Sequence, residues 1–309
     1  MRTIYYNFNS NSFSNRLSNE HKTISIGKGK LINGDCIEVM KTLPQESVDL
    51  LVCSPPYNVN IKYDCCDDSL IMDDYWNWTE LWLKEAVRLL KNDGRVAINI
   101  PFEINSKERG GRVLFLAEFY HIFRKVGLNF FGLIDLNETS PHRSKTTAWG
   151  SWMSCSQPYI YNPKECVLLG YKDSPKKLTK GESHWAVESV EINPVNHKSK
   201  KVFSENDKKE FMELVYGQWG YCADTKPLTI ATFSEDIPSK AIKILTYKGD
   251  VVLDCFSGSG TTAICAEKLD RNWIGIELSP NYFEISLNRI NRSLIHKTEY
   301  NHMLIGKIA

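Results

Sequence analysis

The chain has 309 residues, 42% of them apolar and 24% charged, which is ordinary globular usage and excludes both a disulfide-stapled miniature scaffold and a disordered polymer. With 38 Lys and Arg against 37 Asp and Glu the formal charge is +1, so affinity for a polyanion would have to come from a local basic patch. Nine cysteines, an odd number without a C-x-x-C pair, argue against a disulfide framework and a zinc ribbon, and no metal site is expected.

In chain order, residues 1–28 are rich in Asn and Ser with little apolar periodicity and read as an extended arm. They show no basic segment followed by an apolar core, and no run approaches the length of a membrane span, so a cytoplasmic location without membrane contact is expected. Leu31 and Ile32 read as a short strand, and Val48–Cys53 is the near-continuous apolar run of a strand buried on both faces. Between Asp74 and Lys91 the residues Trp78, Leu81, Trp82, Ala86, Leu89 and Leu90 recur at helical spacing, and Asn92-Asp93-Gly94 is expected to stop that helix. Arg95–Ile100 is the next strand. A helix carrying Leu116, Phe119, Tyr120 and Phe123 ends at Gly127, and Asn129–Ile134 is strand again. This alternation predicts an α/β fold, a mostly parallel twisted sheet with helices on both faces.

The pattern breaks after Asn137. Residues 138–225 read as an insertion in which only Cys166–Tyr171 is strand-like. From Pro141 to Glu210 twelve Lys and Arg stand against eight Asp and Glu, a local balance of +4. Arg143, Lys145, Lys176, Lys177, Lys180, Lys198, Lys200 and Lys201, with Trp149, Trp152, Tyr159 and Tyr161 among them, are residue types that track phosphates and stack bases. The α/β texture then resumes, with a helix opening at Ile237-Pro238, a strand over Val251–Asp254, a helix from about Gly260 to Leu269, a strand over Trp273–Glu277 and a helix from Pro280. The chain thus divides into the arm at 1–28, a first half of the core at 29–137, the insertion at 138–225 and a second half of the core at 226–309.

Two turns carry the chemistry. Asp254-Cys-Phe256-Ser-Gly258-Ser-Gly260-Thr261 joins a strand to a helix, and Glu277 ends the next strand, where a carboxylate can accept both hydroxyls of a ribose. An adenosine-containing cofactor is implied. The glycine spacing also satisfies the dinucleotide fingerprint, which keeps a nicotinamide-dependent dehydrogenase open. Asp254 argues the other way, since a carboxylate before the turn repels a pyrophosphate and welcomes an ammonium group such as the amino-acid end of S-adenosylmethionine. The second turn, Ser54-Pro55-Pro56-Tyr57, follows the buried strand ending at Cys53. Its prolines hold the backbone stiff, leaving the Ser54 hydroxyl and the Pro55 carbonyl as acceptors beside the Tyr57 ring, a match for a planar heterocycle with an exocyclic amine.

These two motifs, in this order, resemble the S-adenosylmethionine-dependent DNA amino-methyltransferases of the permuted β group, the type found in restriction-modification systems. The resemblance implies the Rossmann-like methyltransferase fold, with the catalytic half at 29–137, target recognition in the insertion and cofactor binding at 226–309. It implies Asp254 on the methionine ammonium, Phe256 against the cofactor, Glu277 on the ribose and Asp35 of the Gly34-Asp35 turn on the adenine, with Gly258, Gly260 and Thr261 completing the cofactor turn. Thr225–Phe233 through Pro238 resembles the segment that holds the methionine end, although many relatives carry His-Pro where Thr229-Ile230 stands.

Ser54, Pro55, Pro56 and Tyr57 would then be catalytic, with the Ser54 and Pro55 oxygens favouring a pyramidal nitrogen and Tyr57 stacking on a base flipped out of the duplex. In this family Ser at the first position of the tetrapeptide is typical of cytosine-N4 enzymes and Asp of adenine-N6 enzymes, so N4 is expected and N6 is the alternative. Cytosine-C5 chemistry would need a cysteine nucleophile, usually after a proline, and no cysteine here follows one. RNA or protein amide methylation and a non-catalytic nucleic-acid-binding module are the readings from other classes. The expected partners are double-stranded DNA and a companion restriction endonuclease, with the protein a monomer or homodimer.

Overall fold

The computed structural model describes residues 21–65, 68–106, 111–138, 151–222 apart from 152, 159, 161, 163 and 196, and 233–305. Strands β1 (Lys22–Ile26) and β2 (Gly29–Asn33) form a hairpin, followed by α1 (Cys36–Thr42), β3 (Val48–Cys53), α2 (Met72–Leu89), β4 (Leu90–Pro101), the short pair β5 (Ile104–Ser106) and β6 (Gly111–Val113), α3 (Phe115–Lys125) and β7 (Asn129–Glu138). Then come β8 (Glu165–Tyr171), the hairpin β9 (Ser189–Ile192) and β10 (Ser199–Val202), α4 (Glu205–Val215), β11 (Gln218–Tyr221), α5 (Asp236–Leu245), β12 (Val251–Asp254), α6 (Thr261–Lys268), β13 (Asn272–Glu277) and α7 (Pro280–Ile305).

Nine strands form one sheet in the order β1-β2-β13-β12-β3-β4-β8-β7-β11. From β2 to β4 all neighbours are parallel, β8 runs antiparallel between β4 and β7, and β11 pairs parallel with β7. The sheet is mixed but mostly parallel, as its alternating strands and helices require. Side chains alternate across a strand, and β3 shows the result. Leu51 and Cys53 enter the core shared with α1, α2 and α3, while Leu50 and Val52 enter the core shared with α5, α6 and α7. All six residues of β3 are buried, which is why its sequence reads as an almost unbroken apolar run.

Several expectations are corrected. Residues 22–26 of the supposed arm are β1, held antiparallel on β2, while residues 1–20 lie outside the described set. Asn92-Asp93-Gly94 does not cap α2. The helix ends at Leu89, and the tripeptide sits inside β4 at a register shift against β3, where the Asp93 carboxylate accepts from the Leu178 N–H at 2.6 Å. Most consequential, β8 and β11, both within 138–225, are strands of the central sheet. Cys166, Val167, Leu168 and Leu169 are buried between β4 and β7, so this apolar run closes the core rather than decorating an insertion.

Candidate active site

β12 turns outward to β13 and β3 turns the other way to β4, so a crevice opens between the carboxyl ends of β12 and β3, where open α/β sheets bind ligands. Val252 pairs with Leu50 and Leu253 with Leu51, so the turn after Asp254 and the Ser54-Pro55-Pro56-Tyr57 turn leave adjacent strands. One cavity of about 430 Å³ joins them. Asp35, Ser54, Pro55, Pro56, Tyr57, Asp254, Phe256, Gly258, Thr261 and Glu277 all line it.

On the glycine-rich side, Asp254 accepts from the Phe256 N–H at 3.0 Å and from the Thr262 hydroxyl at 2.6 Å. Burial pushes its carboxyl up to about 6 against those two hydrogen bonds. Glu277 accepts from the Gly258 N–H at 2.7 Å and the Ser279 N–H at 2.8 Å. Burial, with the charges of Asp254 and Asp64 adding to it, pushes Glu277 up to about 7. Asp35 caps α1, accepting from the Ile37 and Glu38 N–H groups at 2.9 and 3.1 Å. Phe256 stands edge-on to Trp82, with centroids 5.1 Å apart.

Gly260 has φ +79°, and a Cβ there would lie 2.3 Å from the Ser286 hydroxyl, so the turn is pressed onto α7 and only glycine fits. Thr261 is turned partly to a structural task, since its hydroxyl accepts from Arg289 at 2.7 Å in a brace that also holds Ser259 and pairs with Glu235.

On the other side, the turn is held from below by groups that carry no recognisable motif. The Tyr75 hydroxyl donates to the Pro56 carbonyl at 2.9 Å, and the buried Asp68 carboxylate accepts from the Asn58 and Val59 N–H groups at 2.7 and 3.1 Å. The Ser54 and Tyr57 hydroxyls lie 2.8 Å apart. The Asn99 amide donates to the Tyr57 hydroxyl at 2.8 Å and to Glu165 Oε2 at 2.5 Å, and Tyr57 reaches the same oxygen at 3.4 Å. Tyr57 is thus a hydrogen-bonding residue as well as a ring, packed edge-on to Phe115 at 6.0 Å. Burial, followed by the Glu165 charge, holds its hydroxyl well above the usual phenol range.

Sequence reasoning does not single out Asn99, Glu165 or Asp64. Asn99 carries a signal, as an uncharged polar residue near the carboxyl end of an apolar strand. Glu165 carries none as long as its strand is assigned to the insertion. Asp64 accepts from the Ser279 hydroxyl at 2.5 Å and closes the Glu277 side of the cavity.

Asp35, Asp64, Glu165, Asp254 and Glu277 line the cavity, and no Lys, Arg or His does so among the described residues. Such a lining suits a ligand that brings positive charge and hydroxyl donors, and it disfavours a pyrophosphate. S-adenosylmethionine, with an ammonium, a sulfonium and a ribose diol, fits it; a nicotinamide dinucleotide does not.

The basic residues are not gathered there. Lys177 is corrected outright. Its side chain is 5% exposed and pairs with Asp49 at 3.0 Å and Asp250 at 3.2 Å, because the charge of Asp49, 1% exposed, needs a cation beside it. Since Asp49 and Asp250 lie at the starts of β3 and β12, Lys177 and its exposed neighbour Lys176 are at the end of the sheet opposite the cavity. Lys198, Lys200 and Lys201 are exposed on or beside the β9–β10 hairpin. Arg143, Lys145, Trp149, Trp152, Tyr159, Tyr161 and Thr225–Thr232 lie outside the described residues. No cluster of metal-ligating side chains occurs among the described residues, nor any helix long and apolar enough to cross a membrane.

A family model described as DNA methylase matches residues 48–288. The type II methyltransferase M.MjaVI of Methanocaldococcus jannaschii is 40% identical over 196 residues, 63% of this chain and 87% of that protein. Among solved structures, TTHA0409 of Thermus thermophilus complexed with S-adenosyl-L-methionine superposes with a TM-score of 0.60 at 22% identity, covering 87% of this chain and 94% of the other. The cytosine-N4-specific PvuII DNA methyltransferase, known from Proteus hauseri, gives 0.61 at 19% identity, covering 87% and 92%. At these identities the superpositions establish the fold.

Proposed function

The chain belongs to the DNA methylase family of N6 and N4 amino-methyltransferases, and from that premise we propose that it methylates the exocyclic N4 amine of a cytosine flipped out of a specific duplex sequence, using S-adenosyl-L-methionine. The observation that carries this reading is the single acidic cavity joining the Asp254 turn to the Ser54-Pro55-Pro56-Tyr57 turn.

When bound, S-adenosyl-L-methionine supplies an electrophilic methyl group on a sulfonium. Asp254 would hold its ammonium, Glu277 its ribose hydroxyls and Asp35 its adenine amine, with Phe256 against the adenosine and Gly258 and Gly260 allowing close backbone approach. Ser54 and the Pro55 carbonyl would accept the two amine hydrogens, which weakens delocalisation of the nitrogen lone pair into the ring and aims it for in-line displacement. The stiffness of the turn, anchored by Tyr75 and Asp68, means that little reorganisation is needed at the moment of reaction. Tyr57 would offer its ring to the extruded base. A neutral hydroxyl at position 54 favours cytosine N4, the base and atom named for the PvuII enzyme of the same fold. Duplex DNA would be met through Arg143 and Lys145 and through the exposed Lys198, Lys200 and Lys201, and the type II relative makes a companion endonuclease a fitting partner.

The test is mass spectrometry of nucleosides from duplex DNA incubated with the protein and S-adenosyl-L-methionine. N4-methylcytosine is expected. N6-methyladenine would move the target to adenine within the same chemistry, and 5-methylcytosine would refute the amine mechanism.

A further inference from the structure

Methylation of an amine releases one proton, and the cavity contains a chain of groups able to take it. Glu165 opens β8, two residues before Val167, which pairs with Asn99 of β4. Asn99 spends its amide on both the Tyr57 hydroxyl and Glu165 Oε2, fixing the two side by side. The Tyr57 proton then has Ser54 at 2.8 Å, the Asn99 main-chain carbonyl at 3.2 Å or Glu165 Oε2 at 3.4 Å to point towards. Ser54 and the Asn99 carbonyl are neutral acceptors, so an ionised Glu165 draws the proton by its charge: Tyr57 donates to Glu165, Ser54 donates to Tyr57, and the Ser54 lone pairs are left facing the cavity to accept from the amine.

The geometry points to Glu165 as the group that sets the direction of the Ser54–Tyr57–Glu165 chain and receives the proton lost by the target amine. This rests on the amine-methylation reading above. As the nitrogen lone pair forms the bond to the methyl carbon, the carbon–sulfur bond breaks with its electron pair remaining on sulfur. One N–H proton passes to Ser54, the Ser54 proton to Tyr57 and the Tyr57 proton to the Glu165 carboxylate, which becomes a carboxylic acid and later loses its proton to water. Burial keeps Glu165 more basic than a surface carboxylate, against the hydrogen bonds from Asn99 and Tyr57. The charged or titratable groups around it are Tyr57 on the motif turn, Glu138 and Asp135 on β7, Cys166 beside it, and Lys164, which is already paired with Asp135 at 2.7 Å.

The experiment follows single-turnover methylation from about pH 5 to about pH 8.5 for the wild type, Glu165→Gln and Tyr57→Phe, with S-adenosyl-L-methionine affinity and 2-aminopurine fluorescence at the target position measured in parallel. With S-adenosyl-L-methionine saturating at every pH, so that protonation of Asp254 and Glu277 does not limit cofactor occupancy, the wild-type rate should fall at low pH as Glu165 becomes protonated. Glu165→Gln, which keeps a partner for Asn99, should be slower by roughly 10²-fold at the alkaline end and flat across the range. Tyr57→Phe, which removes only the middle hydroxyl, should share that flat profile while cofactor affinity and base extrusion stay within about twofold. Infrared difference spectra between the two pH limits should show a carboxylic acid band that Glu165→Gln lacks. Should Glu165→Gln fail to fold, Tyr57→Phe decides. An unchanged acid limb in the folded variants, or none in the wild type, overturns the relay while a methylated amine product leaves the function standing; absence of that product overturns the function itself.

Discussion

Asp254 is held where it weakens the empty protein, and replacing it with Asn should expose that cost. Burial raises its carboxyl from 3.8 to about 6. A group whose folded pKa is raised binds its proton more tightly in the folded state. It therefore contributes stability below the unfolded pKa and loses it as pH rises through the folded one, here between about pH 4 and pH 6. Two units at 1.36 kcal/mol each amount to about 3 kcal/mol at pH 8, an upper figure because Asn keeps only part of the bonding to Phe256 and Thr262. Without ligand, Asp254→Asn should melt several degrees above the wild type at pH 8, at about 2 °C per kcal/mol for a chain of this size, and keep only about half of that advantage at about pH 5, the middle of the window. Its affinity for S-adenosyl-L-methionine should fall by about 1.5–3 kcal/mol, one to two decades, for loss of the charged partner. Differential scanning fluorimetry at the two pH values and isothermal titration calorimetry measure both effects. A melting difference independent of pH, or an unchanged affinity, would refute the assignment of Asp254 to the ammonium.

Gly260→Ala combines a left-handed backbone with a Cβ driven into Ser286 and should cost about 2–4 kcal/mol in urea unfolding; Gly258→Ala, at φ +52° with its Cβ in ordinary contact with the Phe256 carbonyl at 3.9 Å, should cost only about 1–2 kcal/mol. Lys177→Ala strips one of two cations from buried Asp49 and should destabilise by about 2–4 kcal/mol, whereas Lys176→Ala should fall within about 0.5 kcal/mol of the wild type; equal midpoints for the two would contradict the buried pair. Ser54→Ala should leave cofactor affinity within about twofold and lower turnover roughly tenfold to a hundredfold, and a loss confined to cofactor binding would remove Ser54 from the target side.

How far the sequence can be read follows from where its signals are local. β3 and β12 are legible because both faces of each strand are buried, and the cofactor turn because glycines and a strand-end carboxylate lie within a few residues. β8 is visible as a strand, but its place between β4 and β7 is set by pairing partners tens of residues away, which no local pattern encodes. Lys177 looks like its neighbour Lys176 because the acid that buries it, Asp49, is 128 positions distant. Tyr57 reads as a stacking ring; that its hydroxyl also joins Ser54 to Glu165 depends on the placement of that same strand.

The reversal of β8 also divides the insertion. The chain leaves β7 at Glu138 and re-enters the sheet at Glu165, and both residues stand at the cavity end, since Glu165 lines the cavity and its carboxyl feels the charge of Glu138. It leaves β8 at Tyr171, level with Arg95 of β4 at the opposite end, where Lys177 meets Asp49 and Asp250. A duplex delivering a base to Ser54 therefore approaches the end of the sheet that carries Glu138 and Glu165 before it could approach residues near Lys176. Replacing Arg143 and Lys145 together should weaken binding to every DNA sequence and lower the slope of log affinity against log salt by up to about 0.9 for each phosphate that is no longer neutralised. Lys176→Ala should leave that slope unchanged. Titration of a fluorescent duplex at several salt concentrations measures it, and a slope that responds to Lys176 and ignores Arg143 and Lys145 would place the DNA at the wrong end of the sheet for the proposed chemistry.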